Sequence, residues 1–260
     1  MDIVDTHAHL DEAASEGRLD AVLERAEAAG VRRILCVGCD LDSSRLAVQM
    51  ARERPGRLFA TVGIHPTICG AAGEEEYEQI EAMAAMPQVV AVGETGLDLH
   101  WDADSLDVQV EWFRRHLGLA RSAGKPIIVH ARKADEQVLS ALAEEGGQVS
   151  GVRHCFDGDA ETAGRYVALG MHLAFGGTIT LAGYKKAKAA AAHAPDERLL
   201  VETDSPYILP AGAPEGPNEP ANAALVVDAL AALRHASPAL IARITTRNAE
   251  ALFFGGAAAE

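Results

Sequence analysis

Six side chains able to hold a cation recur where strand-like runs end. His7 and His9 stand as H-x-H in Asp5-Thr6-His7-Ala8-His9, and Glu94 follows Val92-Gly93. His130 follows Ile128-Val129, His154 follows Val152-Arg153, and Asp204 follows Glu202-Thr203. Strand side chains alternate with period two, so the H-x-H pair turns both imidazoles to the same side. Four neutral imidazoles and two carboxylates can hold two divalent cations, with a carboxylate such as Glu94 bridging them. Taken singly these residues say little. A lone strand-end histidine is more often a hydrogen-bonded structural residue, and Glu94 or Asp204 alone could cap a following helix. Folding does not require so many His, Asp and Glu to meet at strand ends, and their joint placement points to a metal site.

The elements that position them follow a cadence of apolar runs, polar turns and helix-length segments. The runs are residues 3–5, 33–37, 58–63, 89–93, 126–130, 151–154, 172–175 and 199–202. Most are continuously apolar, as parallel strands covered on both faces require. Residues 105–123 form the clearest helix, with Leu106, Val110, Phe113, Leu117 and Ala120 on one face, Ser105 as cap and Gly124 as stop. Similar segments end at Gly30 and at Gly170. Eight strands alternating with helices predict an α/β fold, a (β/α)8 TIM-like barrel of the metal-dependent hydrolase type. A doubly wound open sheet competes less well, because no G-x-G-x-x-G follows the first strand. Residues 1–254 are expected to form one barrel domain, with residues 255–260 as a frayed tail. The Pro/Gly-rich stretch 206–220 is expected to be a loop at the mouth of the barrel rather than a linker.

With 48% hydrophobic and 23% charged residues the 260-residue chain can bury a large core. Its start, MDIVDTHAHL, has neither the basic nor the apolar region of a secretory signal, and no apolar run is long enough to span a membrane. Four cysteines are too few for a disulfide framework, so a cytoplasmic location is expected. Cys36 and Cys39 form a C-x-x-C, but Cys36 lies inside an apolar run and reads as a buried small hydrophobe rather than half of a redox pair. The formal charge of −15 excludes a basic sheath that grips nucleic acid by counterion release, though not a nucleic acid held at one local site.

Read together, these pieces resemble the TatD family of metal-dependent deoxyribonucleases, a branch of the amidohydrolase-like barrels. The matching segments are Asp5-Thr6-His7-Ala8-His9-Leu10, Gly63-Ile64-His65-Pro66, Val92-Gly93-Glu94-Thr95-Gly96-Leu97-Asp98 and His130-Ala131-Arg132. His154-Cys155-Phe156, Glu202-Thr203-Asp204-Ser205-Pro206-Tyr207, Asn218-Glu219-Pro220 and Thr246-Arg247-Asn248-Ala249 continue the series over nearly the whole chain. The resemblance implies His7, His9, Glu94 and Asp204 around one metal, and Glu94, His130 and His154 around the other. It also implies active-site roles for His65 and Glu202. Glu202 and Asp5 could equally support a ligating histidine from behind. The chain departs from the family pattern in Leu99, where an aromatic residue is common, and in Pro217, where arginine is common.

The expected function is phosphodiester hydrolysis by a deoxyribonuclease of 3′-to-5′ exonuclease type. Asp204 would act as general base, His65 would help stabilise phosphoryl charge, Arg132 would contact phosphate, and Trp101 would stack on a base. Single-stranded DNA or a 3′ end is the expected substrate, and DNA repair or turnover the role the resemblance implies. Mixed nitrogen and oxygen donors suit Zn²⁺ or Mn²⁺, while the family is usually described as Mg²⁺-dependent. Three alternatives share these residues: an amidohydrolase acting on amides or esters, a D-aminoacyl-tRNA deacylase, and a metal-binding scaffold without turnover.

Overall fold

The computed structural model describes residues 1–101 and 104–255; most of the expected tail, residues 256–260, lies outside them. Eight strands form one sheet in sequential order: β1 (Ile3–Ala8), β2 (Val31–Val37), β3 (Leu58–Val62), β4 (Val89–Asp98), β5 (Ile127–Arg132), β6 (Gly151–Arg153), β7 (His172–Phe175) and β8 (Leu199–Val201). Pairing is parallel for β3 with β4, β4 with β5, β5 with β6, and β7 with β8. A parallel bridge between Ala8 and Ser205 joins the chain after β8 to the end of β1. This is the (β/α)8 fold expected from the cadence, and its strands are buried as parallel strands must be. No single helix among the described residues is long and apolar enough to cross a membrane.

The chain divides into two compact units, one of Met1–Leu35, Cys155–Val167 and the residues from His172 onward, the other of Cys36–His154 with Ala168–Met171. In the first unit the helix Pro238–Phe253 packs on β1 and β8. Its N-terminus is fixed by Pro238 and by Ser237, whose side chain accepts from the Leu240 N–H. The loop 206–220 is tied down by Asn218, whose Nδ2 donates to the carbonyls of Thr203 and Tyr207, each at 2.8 Å.

In the second unit the helix Leu106–Ala123 packs on β4 and ends at Gly124, with φ 64°. Phe113, Leu117 and Ala120 are buried as expected, whereas Leu106 and Val110 are only half-buried. The inward face instead includes Gln109, Trp112 and His116. Ser105 occupies the cap position, but its side chain makes no capping hydrogen bond. The helix Leu41–Glu53 begins with a capping box in which Asp40 accepts from the Ser43 N–H.

Strands β1, β4 and β5 run past their expected ends, so His7 and Glu94 lie within strands instead of leaving them, and His130 stands two residues before the end of β5. Polar composition suggested a loop, but the ladder continues, most clearly in β4. Its register with β5 shifts between Val92 and Thr95 and then resumes through Asp98, opposite Arg132. Gly93 and Gly96 permit this irregularity, with φ of 134° and 142°. A side chain at either would collide with the neighbouring carbonyl of Ile128 or His130.

Candidate active site

The first unit gathers His7, His9 and Asp204. The period-two geometry of β1 sets His7 Nε2 and His9 Nε2 3.2 Å apart, and Asp204 Oδ1 lies 3.8 Å from the first and 3.5 Å from the second. Backbone bonds hold this geometry: the Asp204 N–H donates to the His7 carbonyl at 2.9 Å and the His9 N–H to the Ser205 carbonyl at 2.7 Å. Asp204 itself sits at φ 54°, a conformation unusual for a non-glycine residue and one that aspartate tolerates better than most.

Asp5, fully buried, braces the same corner. Its Oδ1 accepts from the N–H of Thr203 at 2.9 Å and of His7 at 3.3 Å, and its Oδ2 accepts from Thr203 Oγ1 at 2.6 Å. It therefore holds the main chain beside two ligand candidates, a different job from the imidazole support expected of it. Burial pushes its carboxyl up to about 7 against these hydrogen bonds, with the nearby Glu202 charge adding to the rise. Glu202 is also fully buried, and its Oε1 accepts from the Cys155 N–H at 2.5 Å, directly after His154 in the chain.

The second unit surrounds the Oε1 of Glu94 with imidazoles. His154 Nε2 lies 2.8 Å away, His130 Nδ1 2.9 Å and His65 Nε2 3.5 Å. The thiol of Cys39 donates to Glu94 Oε2 at 3.5 Å. No disulfide joins the four cysteines among the described residues, and Cys36 is fully buried, as its apolar run suggested. On its far side His130 Nε2 lies 2.9 Å from Asp98 Oδ2, a carboxylate that orients the ring and fixes which nitrogen faces Glu94. Burial alone would raise the Asp98 carboxyl; His130 and the N–H groups of Trp101 and His100 outweigh it and hold the group well below the usual carboxylate range.

Three further residues of this unit act from behind. Arg153, 2% exposed, donates from Nε to Asp135 Oδ1 at 3.2 Å and from its two terminal nitrogens to the carbonyls of His154 and Ala131. It thus ties the ends of β5 and β6 together beside His130 and His154. His116 Nε2 accepts from the Ile64 N–H at 3.1 Å, next to His65, while His65 Nδ1 lies 2.7 Å from Thr67 Oγ1. At the rim the Arg132 guanidinium stands 5.2 Å from the Trp101 ring centroid, and Trp101 is 59% exposed.

Of the residues singled out from the sequence, His7, His9, Asp204, Asp5 and Glu202 lie in the first unit, and Glu94, His130, His154, His65, Arg132 and Trp101 in the second. Asp98, Asn218, Cys39, His116 and Arg153 were given no role from the sequence. Asp98 and Asn218 lie within quoted motifs, which was a usable signal. His116 and Arg153 carried none, because their partners are backbone groups distant in sequence.

The donor sets fit divalent cations. His7, His9 and Asp204, and likewise His65, Glu94 and His130, each present one ligand atom, all within 4.8 Å of one another. Atoms bound to one tetrahedral cation at about 2.0–2.1 Å stand about 3.3 Å apart, close to the spacings in the first group. Two imidazole nitrogens face to face at 3.2 Å repel unless a proton or a cation lies between them.

Comparison with known proteins agrees with this chemistry. Residues 4–254 match the family model described as "TatD related DNase". The chain is 40% identical over 252 residues to the "Uncharacterized metal-dependent hydrolase YabD" of Bacillus subtilis, covering 96% of this chain and 98% of that protein. It is 31% identical over 255 residues to the "3'-5' ssDNA/RNA exonuclease TatD" of Musicola paradisiaca, covering 96% and 97% of the two chains. Among solved structures, the TatD homologue YjjV of Escherichia coli superposes with a TM-score of 0.90 at 31% identity, covering 97% of this chain and 98% of that one. The chain belongs to the TatD-related DNase family of metal-dependent hydrolases.

Proposed function

We propose that the protein hydrolyses phosphodiester bonds at the 3′ end of single-stranded DNA. One divalent cation would be held by His7, His9 and Asp204, and another by Glu94, His130 and His154. One observation carries the hydrolytic reading: in each unit imidazole and carboxylate atoms are spaced as cation ligands. The choice of nucleic acid draws on the relative named as a 3'-5' ssDNA/RNA exonuclease. When bound, the cations supply Lewis acidity and neutralise charge on the phosphoryl oxygens.

The chain's own residues do the rest. Asp204, whose side chain keeps 12% of its surface accessible, takes the proton of the attacking water. Glu94 fixes the imidazoles around its Oε1. His65, anchored through Nδ1 to Thr67, presents Nε2 as a donor to a phosphoryl oxygen. Glu202 holds the main chain at Cys155 and so fixes the approach of His154. Arg132 contacts phosphate and Trp101 stacks on a base at the rim. Nitrogen-rich donor sets favour Zn²⁺ or Mn²⁺ over Mg²⁺.

The test is incubation of the metal-loaded protein with single-stranded DNA, duplex DNA and D-aminoacyl-tRNA, each with and without chelator. Stepwise, chelator-sensitive loss of nucleotides from the 3′ end of the single strand is expected. Release of amino acid from the tRNA with DNA left intact would replace this reading with ester hydrolysis. No turnover on any substrate, with both cations bound, would make the protein a binding scaffold.

A further inference from the structure

A cleft of about 340 Å3 opens beside the first group of ligand candidates, with His9 in its wall. It lies within the first unit. Leu10, Val22, Pro206, Pro214 and Pro217 form its apolar sides. Proline faces are rigid, so the cleft loses little freedom when filled. Its volume is at the small end of the range of about 300–1,000 Å3 that small-molecule sites occupy.

The charges around the cleft select against an anion. Arg25 and Arg18 both line it, but their guanidinium groups are engaged by carboxylates. Arg25 donates from Nε to Glu219 Oε1 at 2.9 Å and from Nη2 to Glu219 Oε2 at 2.7 Å. Arg18 donates from Nε to Glu16 Oε2 at 2.5 Å, with Glu12 Oε1 3.9 Å from its Nη2. Glu12, Glu215 and Glu219 also line the cleft, so its carboxylates outnumber its guanidinium groups. A phosphate would meet occupied donors and unneutralised negative charge. A flat, uncharged group able to accept or donate hydrogen bonds meets apolar walls and a polar rim instead.

We propose that this cleft is a nucleoside subsite, taking the base and sugar attached to the phosphate that reacts beside His9. The identity of the occupant rests on the phosphodiester reading above. The cleft holds one nucleoside and excludes a second phosphate, so the charged and uncharged parts of the substrate are sorted between His9 and the prolines.

The test measures binding without turnover. Thymidine, adenosine and inorganic phosphate are titrated into the full chain and followed by ligand-observed NMR. Wild type is compared with Pro217→Trp, which fills the cleft from an exposed loop position, and with Glu219→Gln, which releases Arg25. Wild type should bind both nucleosides saturably without competition from phosphate, and Pro217→Trp should weaken them at least about tenfold. Glu219→Gln should shift preference toward thymidine 5′-monophosphate. Val22→Phe provides a second way to fill the cleft should the loop variant fold poorly. Equal nucleoside affinity in wild type and in the filled variants, or displacement of thymidine by inorganic phosphate, would overturn the proposal. Nucleoside binding without any DNA hydrolysis would support the cleft and remove the nuclease reading. Hydrolysis without saturable nucleoside binding would do the reverse.

Discussion

His116 links the pH dependence of stability to the placement of His65. It is fully buried on the helix Leu106–Ala123; Nδ1 donates to the Trp112 carbonyl at 2.8 Å and Nε2 accepts from the Ile64 N–H at 3.1 Å. The neutral ring protonated at Nδ1 satisfies both partners, whereas a second proton on Nε2 would face the Ile64 N–H. Burial first, and then the charge of Arg115, push the imidazole down from 6.5 to about 4, against the opposing pull of the Trp112 carbonyl. Below pH 6.5 the unfolded chain therefore takes up a proton that the folded chain refuses. The stabilisation is complete above pH 6.5 and is lost as pH falls toward about 4. Between pH 7.5 and pH 4.5 this amounts to about 2–3 kcal/mol. Asp5 acts in the opposite sense over an overlapping window, since its folded carboxyl keeps a proton up to about 7 that the unfolded one loses near 3.8. The assay must therefore be a difference. Urea denaturation of the metal-free wild type and of His116→Gln is followed at both pH values, because Asp5 is common to the two and cancels. The stability advantage of wild type over the variant should shrink by about 2–3 kcal/mol at pH 4.5. Curves that stay parallel across the range would refute the claim that a buried neutral imidazole holds this corner.

Three further outcomes follow from the two groups. Glu94→Ala removes the carboxylate around which His65, His130 and His154 converge, so metal analysis of the purified variant should show at least one cation lost and DNA hydrolysis should vanish. Asp204→Asn keeps the shape but removes the proton acceptor, so kcat should fall by about 10²–10⁴-fold, read from single-turnover DNA cleavage while the urea midpoint stays near wild type. Arg153→Met leaves the carbonyls of Ala131 and His154 without their buried donor and should cost about 2–3 kcal/mol in urea denaturation, with partial rescue by Arg153→Lys.

The parts of this molecule that were legible in the sequence are those set by local periodicity. Continuous apolar runs separated by amphipathic segments specify parallel strands and covering helices, and eight of them specify the (β/α)8 order. H-x-H on β1 likewise places two imidazoles together by the period of a strand alone, and the structure finds their Nε2 atoms 3.2 Å apart. Strand ends were less legible, because polar residues such as Thr6 and His7 fall beyond the apolar run although the chain there is still fully buried strand. Glu94 required two glycines to bend β4 and then continue it, which no apolar pattern encodes. Contacts to backbone were not legible at all. Arg153 and His116 make theirs with groups that any residue type could supply, so their identities pointed to no partner. Asp98 is the intermediate case: it stands in the motif Gly96-Leu97-Asp98, but its contact with the far nitrogen of His130 arises only from the pairing of β4 with β5.

The net charge of −15 is best understood through where the cations of this chain are spent. Arg18, Arg25, Arg32, Arg33, Arg114, Arg115, Arg121 and Arg234 each pair with a carboxylate of the protein itself. Cations already matched in this way release few counterions when a polyanion approaches, so the surface offers little sequence-independent affinity for long DNA. Arg132 differs, since its guanidinium lies over the exposed Trp101 ring and has no carboxylate partner among the described residues. A guanidinium held against an aromatic face keeps its donors available to phosphate. Acidity of the whole chain and use of a polyanionic substrate are then compatible on physical grounds. The paired arginines offer DNA little attraction along its length, whereas the cation ligands and the stacked Arg132 offer it locally. Such a distribution favours capture of an end over binding along a duplex.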